Sequence, residues 1–285
     1  MPEAIGFIGV GNMGNPMAAN LLAAGYPLRV FDTVPERCDN LVALGAARAI
    51  SVGDAVRGMD VVILSLPGPP QVEAVMLAPD GVLAAAVAGT RVIDTSTSSA
   101  ALLQRVVAAA AAVGVDVLEC PVTNAIDGAI RGELTLFTAG DPSVLEAVRP
   151  ILEVVSSTIH FVGKHGNAAV VKLLTNQLWF VSAAALGEAL MLGAKAGVPL
   201  ETVWAALKTS AGDSWVVRHD TPSIFAGHYD PSFSLALCCK DLGLIQEIAA
   251  GQGMSLPMTS LAQERFEMAK ERYGADAGEL HVAKL

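Results

Sequence analysis

The sequence predicts an α/β protein in which a doubly wound parallel sheet is followed by an all-helical domain. Three observations support this. Apolar runs typical of strands alternate with helical segments over the first 162 residues, a glycine-rich turn follows the first run, and a long alanine-rich stretch begins at Ala168. Strands that alternate with helices are typical of a mainly parallel sheet covered on both faces.

Seven short apolar runs are the predicted strands: Ile5–Val10, Leu28–Asp32, Val61–Leu66, Arg91–Thr95, Val115–Cys120, Leu134–Ala139 and Thr158–Val162. The segments between them have helical character: Asn12–Ala24, Pro35–Leu44, Pro70–Met76, Ala100–Val113 and Pro142–Val154. This order predicts a sheet wrapped by helices.

The pattern changes after residue 163. Ala168–Ala196 is one long stretch of good helix formers, and Gly197 with Pro199 beyond it forms a stop signal. Three more helical segments follow: Glu201–Thr209, Ser234–Gln252 and Met258–Tyr273. For a chain of 285 residues we expect two domains, 1–163 and 164–285. A helical domain this apolar also predicts a homo-oligomer, a dimer or tetramer, because large apolar faces usually mark interfaces.

Composition limits the classes of partner. A net charge of −10 argues against nucleic acid and anionic membranes. The four cysteines form no Cys-x-x-Cys pair and the five histidines have no ligand spacing, so we expect no metal. The uncharged segment 173–187 is shorter than the about 20 residues that a membrane span needs. Without a basic leader and cleavage site at the start, a cytoplasmic protein is expected.

The first predicted strand leads into Gly9-Val10-Gly11-Asn12-Met13-Gly14, a Gly-x-Gly-x-x-Gly turn that opens a helix. This order is typical of a Rossmann-type dinucleotide-binding unit. Gly9 permits the tight turn, Gly11 lets the backbone approach a pyrophosphate, and Gly14 allows close packing of helix and strand. The helix N-terminus then offers N–H groups to the phosphates.

An acidic residue ends the second predicted strand. Asp32 lies 18 residues after Gly14, close to the spacing expected for a carboxylate that binds the adenosine ribose. Its charge would repel a 2′-phosphate, which favours NAD over NADP, although Arg37 is a nearby cation. The alternative is a glycine-rich turn of another α/β protein, in which Asp32 only caps the next helix.

Lys172 and Asn176 are spaced i and i+4 near the start of the long helical stretch, so they share one face. Apolar neighbours reduce the hydration of a lysine and lower its pKa, which suits it to proton exchange with a substrate hydroxyl. An asparagine on the same face could orient that oxygen. A lysine that extends its amine to solvent beside a buried asparagine explains the pattern equally well.

Longer motifs resemble those of the β-hydroxyacid dehydrogenase family, which includes 3-hydroxyisobutyrate dehydrogenase and tartronate semialdehyde reductase. Residues 6–21 resemble its N-terminal motif, and residues 121–135 resemble its substrate loop. Lys172-x-x-x-Asn176 resembles its catalytic pair, and Phe233-x-x-x-Leu237-x-x-Lys240-Asp241-Leu242 a late motif. The resemblance also implies a C-terminal domain like that of 6-phosphogluconate dehydrogenase.

The resemblance implies roles for individual residues. Lys172 would be the general acid/base, and Lys240 would reach the nicotinamide end of the site. Leu66, Pro67 and Thr97 would contact the cofactor. The corresponding alternatives are an ion pair for Lys240 and a helix N-cap for Thr97.

The chain departs from the family pattern in its substrate loop, where Thr123-Asn124-Ala125 replaces the usual Ser-Gly-Gly. The loop would be narrower and would carry an extra amide, so a different acid, or a sulfonate, is conceivable as substrate. At Ala168 the family commonly has glycine. Trp215 resembles an edge of the family's substrate pocket, and a core aromatic is the alternative.

The expected activity is hydride transfer between nicotinamide and a short β-hydroxy acid or its semialdehyde. One rival is an imine reductase, which shares the two-domain plan but generally lacks a lysine at the position of Lys172. The other rival is a non-catalytic NAD-binding module. The presence of Lys172, Asn176 and Lys240 argues against it.

Overall fold

A computed structural model describes residues 2–285. The chain divides into two compact units, one that ends at Lys172 and one that runs Leu173–Leu285. This division falls within a long helix, nine residues beyond the boundary expected from the sequence. The expected boundary after residue 163 stays a prediction.

A six-stranded parallel sheet forms the centre of the first unit. Its strands in chain order are β1 Ile5–Ile8, β2 Leu28–Phe31, β3 Ala47–Arg48, β4 Val61–Leu64, β5 Arg91–Asp94 and β6 Asp116–Glu119. Their order in space is β3-β2-β1-β4-β5-β6. The order reverses direction between β1 and β4, and in such sheets ligands bind beyond the strand ends at this switch point.

Eight α-helices accompany these strands in the described part of the first unit: α1 Gly14–Ala23, α2 Asp39–Ala43, α3 Val52–Val56, α4 Pro69–Leu77, α5 Val82–Ala85, α6 Ala100–Ala112, α7 Ala125–Arg131 and α8 Pro142–Val155. A short 3₁₀ helix, Pro35–Cys38, precedes α2. Two apolar cores result. One packs α1 and α8 against the sheet, and the other packs α4 and α6 against it. The doubly wound α/β architecture expected from the sequence is therefore confirmed.

A second, three-stranded sheet completes the first unit. Its strands are β7 Val122–Thr123, β8 Leu134–Thr138 and β9 Ser156–Phe161, in the order β7-β8-β9. Strand β7 is antiparallel to β8, whereas β9 is parallel to it. Two hydrogen bonds between the backbones of Glu119 and Ala139 link this sheet to the end of β6.

The second unit is helical. Helix α9, Asn167–Lys195, enters it, and α10 Leu200–Leu207, α11 Thr221–Phe225, α12 Leu235–Gly251 and α13 Pro257–Tyr273 follow. A cluster of aromatic rings around Phe180, including Trp179, Phe233 and Phe266, occupies its core. The all-helical domain opened by a long helix is confirmed as well.

Helix α9 is long and apolar enough to cross a membrane by length and composition alone. Its buried residues, among them Leu173, Phe180 and Leu186, belong instead to the apolar core of the second unit. Other apolar side chains of the same helix, including Leu178, are exposed, so the core accounts for only one part of its apolar surface.

Short elements were missed in the sequence because local signals do not specify them. Strand β3 and helices α3, α5 and α7 have two to seven residues each. The segment Val216–Asp220 forms a π-helical turn, and Glu279–Lys284 forms a 3₁₀ helix. Elements this short depend on tertiary contacts more than on periodicity.

Candidate active site

The glycine-rich turn connects β1 to α1. Gly9 has φ +89°, and a Cβ there would lie 2.3 Å from the carbonyl oxygen of Ser65. A Cβ on Gly14 would lie 1.9 Å from the carbonyl oxygen of Gly9, so close packing excludes any other residue at both positions. Around Gly11 the space is open, because the nearest atom to a Cβ would be Nη1 of Arg37 at 3.9 Å. The turn is thus tight on its protein side and accessible at Gly11, as binding of a pyrophosphate requires.

Asp32 lies directly after β2 and is buried. Its Oδ2 accepts a hydrogen bond from the backbone N–H of Val10 at 3.0 Å, and its Oδ1 accepts one from Val34 at 2.9 Å. Arg37, whose side chain is 55% exposed, places Nη1 3.5 Å from Oδ1. The Asp32 carboxylate therefore also holds the backbone of the glycine turn. The guanidinium of Arg37 places a positive charge beside this carboxylate.

The segments after β4 and β5 meet at the same sheet edge as the glycine turn, because all these strands are parallel neighbours. The backbone N–H of Leu66 donates to Oγ of Ser96 at 2.9 Å, and Oγ1 of Thr95 donates to the carbonyl of Leu64. Leu66 and Thr97 are half-buried, and Pro67 is exposed. The structure thus brings the predicted cofactor residues of the first unit to one edge.

The loop Thr123-Asn124-Ala125, which differs from the family pattern, has an unusual backbone. Asn124 and Ala125 have φ values of +87° and +54°, the left-handed region that non-glycine residues seldom adopt. Asn124 donates from Nδ2 to the carbonyl of Glu133 and to Oγ1 of Thr135, each at 3.1 Å. Both donor positions of the amide are directed into the protein. The extra donor that the sequence suggested for a substrate is therefore already engaged.

The start of α9 carries Lys172, which is 8% exposed. Ala168, where the family commonly has glycine, is fully buried and packs with Phe137 and Ala139. Glu119, at the end of β6, accepts a hydrogen bond through Oε2 from the backbone N–H of Gly166 at 2.8 Å. The first turn of the helix is thus held by both packing and a carboxylate.

Two carboxyl groups at this sheet edge were not recognised from the sequence. Asp94 and Glu119 are register partners at the ends of β5 and β6, and both are buried. Burial raises the pKa of Asp94 to about 6 and that of Glu119 to about 7, although hydrogen bonds from backbone N–H groups oppose the shift in both. Both could have been recognised from the sequence, because each is an acidic residue near the end of a predicted strand.

One turn beyond Lys172, Asn176 is buried in the second unit. Its Nδ2 donates to Oδ2 of Asp241 at 2.7 Å. Oδ1 of Asp241 lies 2.9 Å from Nζ of Lys240, so one carboxylate on α12 connects two predicted site residues. The ion pair considered as an alternative for Lys240 is present. The sequence did not predict a role for Asp241, because the resemblance to the family motif implies a role only for the adjacent Lys240.

Trp215 precedes the π-helical turn and is 52% exposed, so the core alternative for this residue is wrong. Its ring stacks on His219 with 3.6 Å between the ring centroids. Within residues 2–285, no group of three or more histidine, cysteine or acidic side chains could hold a metal ion.

The doubly wound sheet, the glycine turn at the carboxyl ends of its strands and the helical second unit define a class of protein. That class is a dinucleotide-binding oxidoreductase with a helical second domain. Residues 4–163 match the model of the NAD binding domain of 6-phosphogluconate dehydrogenase, and residues 166–285 match that of the NAD-binding domain of NADP-dependent 3-hydroxyisobutyrate dehydrogenase. The chain belongs to the β-hydroxyacid dehydrogenase family, as its motifs indicated, and is an NAD(P)-dependent oxidoreductase.

Individual relatives agree with this assignment. The chain is 38% identical to an NAD-dependent L-serine dehydrogenase of Pseudomonas aeruginosa, over 99% of this chain and 97% of that protein. It is similar to the structure of Mycobacterium tuberculosis 3-hydroxyisobutyrate dehydrogenase with L-serine, with a TM-score of 0.90, 33% identity and coverage of 100% and 99%. It is also similar to Psf3 in complex with NADP+ and 2-OPP, with a TM-score of 0.92, 29% identity and 99% coverage of each chain.

More distant likeness shows the fold alone. An imine reductase from a Pseudomonas species has a TM-score of 0.67 and 20% identity, with 100% of this chain and 99% of that chain covered.

Proposed function

We propose that this protein oxidises the terminal alcohol of a short β-hydroxy acid with NAD, and reduces the corresponding semialdehyde in the reverse direction. The observation that carries the proposal is Lys172, a buried lysine in the first turns of α9, with Asn176 one turn beyond it. A hydride-transfer reaction on an alcohol needs a group that takes up the hydroxyl proton, and the family pattern has a lysine in this position.

The residues around the glycine turn fit a dinucleotide. Gly9, Gly11, Asn12, Met13 and Gly14 would hold the pyrophosphate, since the open space at Gly11 admits it and α1 begins there. Asp32 would bind the adenosine ribose, and its negative charge supports NAD over NADP.

Further contacts to the cofactor are proposed for Leu66, Pro67 and Thr97, which follow neighbouring strands, and for Lys240. A nicotinamide cofactor, when bound, would supply the hydride acceptor for this reaction. The protein's own groups then handle only the proton and the orientation of the substrate.

In this proposal, Lys172 takes the hydroxyl proton as the carbon–hydrogen bond breaks, and it returns that proton when the semialdehyde is reduced. Asn176 hydrogen-bonds the same oxygen and holds it in line. The contact between Asn176 and Asp241 supports this role, because it limits how the amide can rotate. Low exposure of Lys172 favours proton exchange with the substrate over exchange with bulk water.

The acidic group of the substrate is assigned to the loop Thr123-Asn124-Ala125. Thr123 provides a hydroxyl, and Ala125, which is exposed, limits the space beside it. Trp215 and Lys240 are proposed as further substrate contacts. The names of the two relatives associated with L-serine support L-serine and 3-hydroxyisobutyrate as the first compounds to test, with a β-hydroxy sulfonate as the comparison.

Assembly and location are proposed with the activity. Several large apolar side chains of the second unit are exposed, including Leu178 at the middle of α9 and Leu261 on α13. Covering them in a homo-oligomer, a dimer or tetramer, would remove apolar surface from water. A cytoplasmic location fits an enzyme of this family.

The deciding experiment measures formation of reduced nicotinamide by absorbance with NAD or NADP and the panel of acids, for the wild type and Lys172→Ala. We expect turnover of one acid with NAD and a loss of at least about a hundredfold in kcat for the variant. Lys195→Ala at the exposed end of the same helix is the matched control and should retain kcat.

The rival functions predict different results. Full turnover by Lys172→Ala with normal NAD binding would remove the lysine from the mechanism. Reduction of a cyclic imine without oxidation of any hydroxy acid would support an imine reductase. NAD binding without turnover of any compound would support a non-catalytic module.

A further inference from the structure

The side chain of Glu119 lies where the central sheet meets the start of α9. Its backbone is fixed on both sides, since its N–H donates to Ala139 at 3.0 Å and its carbonyl accepts from Ala139 at 3.1 Å. These bonds fix the position from which the side chain starts. Only 4% of the residue is exposed, so the carboxyl group belongs to the interior.

The carboxyl group is directed at the helix N-terminus. Oε2 accepts from the backbone N–H of Gly166 at 2.8 Å, and the nearby backbone N–H groups of Ala168 and Ala169 lower the pKa of the same carboxyl group. The first N–H groups of a helix have no partner within the helix, and a carboxylate there interacts well with the helix dipole. Glu119 therefore acts as a cap supplied from a distant strand, 47 residues away in the chain.

Lys172 lies in the second turn of this helix, six residues beyond Gly166. Any shift in the first turn displaces the lysine, because backbone hydrogen bonds connect successive turns. Ala168 is locked against Phe137 and Ala139 in a small apolar cluster, which limits the helix start to one arrangement. The carboxylate and this cluster together determine where the lysine is placed.

We propose that Glu119 is a positioning residue for the reaction: its carboxylate holds the first turn of α9 and thereby sets the position of Lys172. The inference rests on the proposed role of Lys172 as general acid/base. Glu119 itself touches neither substrate nor cofactor in this proposal.

Ionisation of Glu119 gives the proposal a pH signature. Burial and the neighbouring carboxyl of Asp94 raise the pKa of Glu119, backbone hydrogen bonds lower it, and the result is about 7. The other titratable groups around it are Cys120, next in the chain, and His165, whose Nε2 lies 2.8 Å from the carbonyl of Val117. Hydrogen bonds to an ionised acceptor are roughly twice as strong as neutral ones, so the turn is held best above this pH.

The test compares the wild type with Glu119→Gln, which keeps the size of the side chain and cannot ionise. We expect kcat to fall between about tenfold and a hundredfold, with the KM for NAD within about twofold of the wild type. The acid limb of the kcat profile should change in the variant, because the side chain at this position no longer ionises near pH 7. Hydrogen exchange at backbone amides 166–171 should be faster, which is a readout independent of turnover.

Thermal stability separates positioning from a merely structural role. Burial of the ionised Glu119 carboxylate destabilises the folded wild type at pH 8. Glu119→Gln should therefore melt at that pH at the same temperature as the wild type or at a higher one. The matched control is Asp141→Asn, another carboxyl that caps a helix, α8, through the N–H of Ser143 at 2.8 Å. It should lower stability slightly and leave kcat unchanged.

Two results would overturn the inference: a wild-type kcat with an unchanged acid limb in Glu119→Gln, or a loss of kcat that only follows a lower melting temperature. These results differ from a failure of the proposed function, which an active Lys172→Ala would show. In that case the exchange rates at residues 166–171 still report whether Glu119 holds the helix.

Discussion

Asn176 donates a hydrogen bond of 2.7 Å from its side-chain amide to Oδ2 of Asp241, a carboxylate that also pairs with Lys240 at 2.9 Å. Asp241 is 1% exposed, so these contacts are made away from water. Two residues that the family motifs place in different parts of the sequence are thus connected by a third. The relationship gives the first of four predictions.

Replacing Asp241 with asparagine should lower kcat by about tenfold or more, because Asn176 and Lys240 lose their shared anionic partner. The free energy of unfolding should fall by about 1–3 kcal/mol, the cost of leaving buried polar groups without partners. Steady-state kinetics and denaturant unfolding measure the two effects. Glu73→Gln, which breaks an exposed ion pair with Arg105, should change neither, and an unaltered kcat in Asp241→Asn would contradict the role.

The choice of cofactor should depend on the charges at the end of β2. Asp32→Asn removes the negative charge and keeps an acceptor oxygen for only one of the two N–H groups of Val10 and Val34. Loss of the charge should lower the preference for NAD over NADP by about tenfold or more. Arg37→Ala should weaken NADP use and leave NAD nearly unaffected, because Arg37 is the cation beside Asp32. Values of kcat/KM for both cofactors measure this, and an unchanged ratio in both variants would place the discrimination elsewhere.

Ala125 bears backbone strain, with φ at +54°. Ala125→Gly should raise the free energy of unfolding by about 0.5–1 kcal/mol, because glycine adopts this conformation without a steric penalty. Ala108→Gly, on the exposed side of α6, should have the opposite effect and cost about 1 kcal/mol. Chemical denaturation compares the two. Destabilisation by both substitutions would show that the strain at Ala125 is not released by glycine.

Glu279 should make the protein less stable as the pH rises. It is 2% exposed, and burial is the main cause that raises its pKa from 4.5 to about 9. The folded protein holds this proton more tightly than the unfolded chain. Its contribution to stability is therefore complete below about pH 4.5 and is lost as the pH rises through about 9.

Glu279→Gln cannot ionise, so the variant should exceed the wild type in free energy of unfolding at pH 8 by on the order of 5 kcal/mol. The difference should be small at pH 4. Glu271→Gln, at an exposed position on α13, is the control and should match the wild type at both values. Denaturant unfolding at the two pH values is the measurement, and equal differences at pH 4 and pH 8 would exclude a role for this proton.

Periodicity and local motifs were sufficient for the larger elements. Each of the seven predicted strands overlaps an observed strand, because alternating short apolar runs and helical segments have strong local signals. The end of α9 at Lys195 agrees with the stop signal at Gly197. The glycine turn was predicted with its residues because only glycine fits Gly9 and Gly14, and that requirement is visible in the sequence.

Tertiary structure alone decided how side chains far apart in the chain meet. The sequence by itself determined the doubly wound sheet, the helical second domain and the residues of the family motifs. It did not determine that Glu119 caps α9, that Asp241 contacts Asn176, or that the amide of Asn124 turns into the protein. These contacts join residues 9 to 65 positions apart, and no local propensity encodes such pairs. They exist because packing of the whole chain buries polar groups that must then find partners.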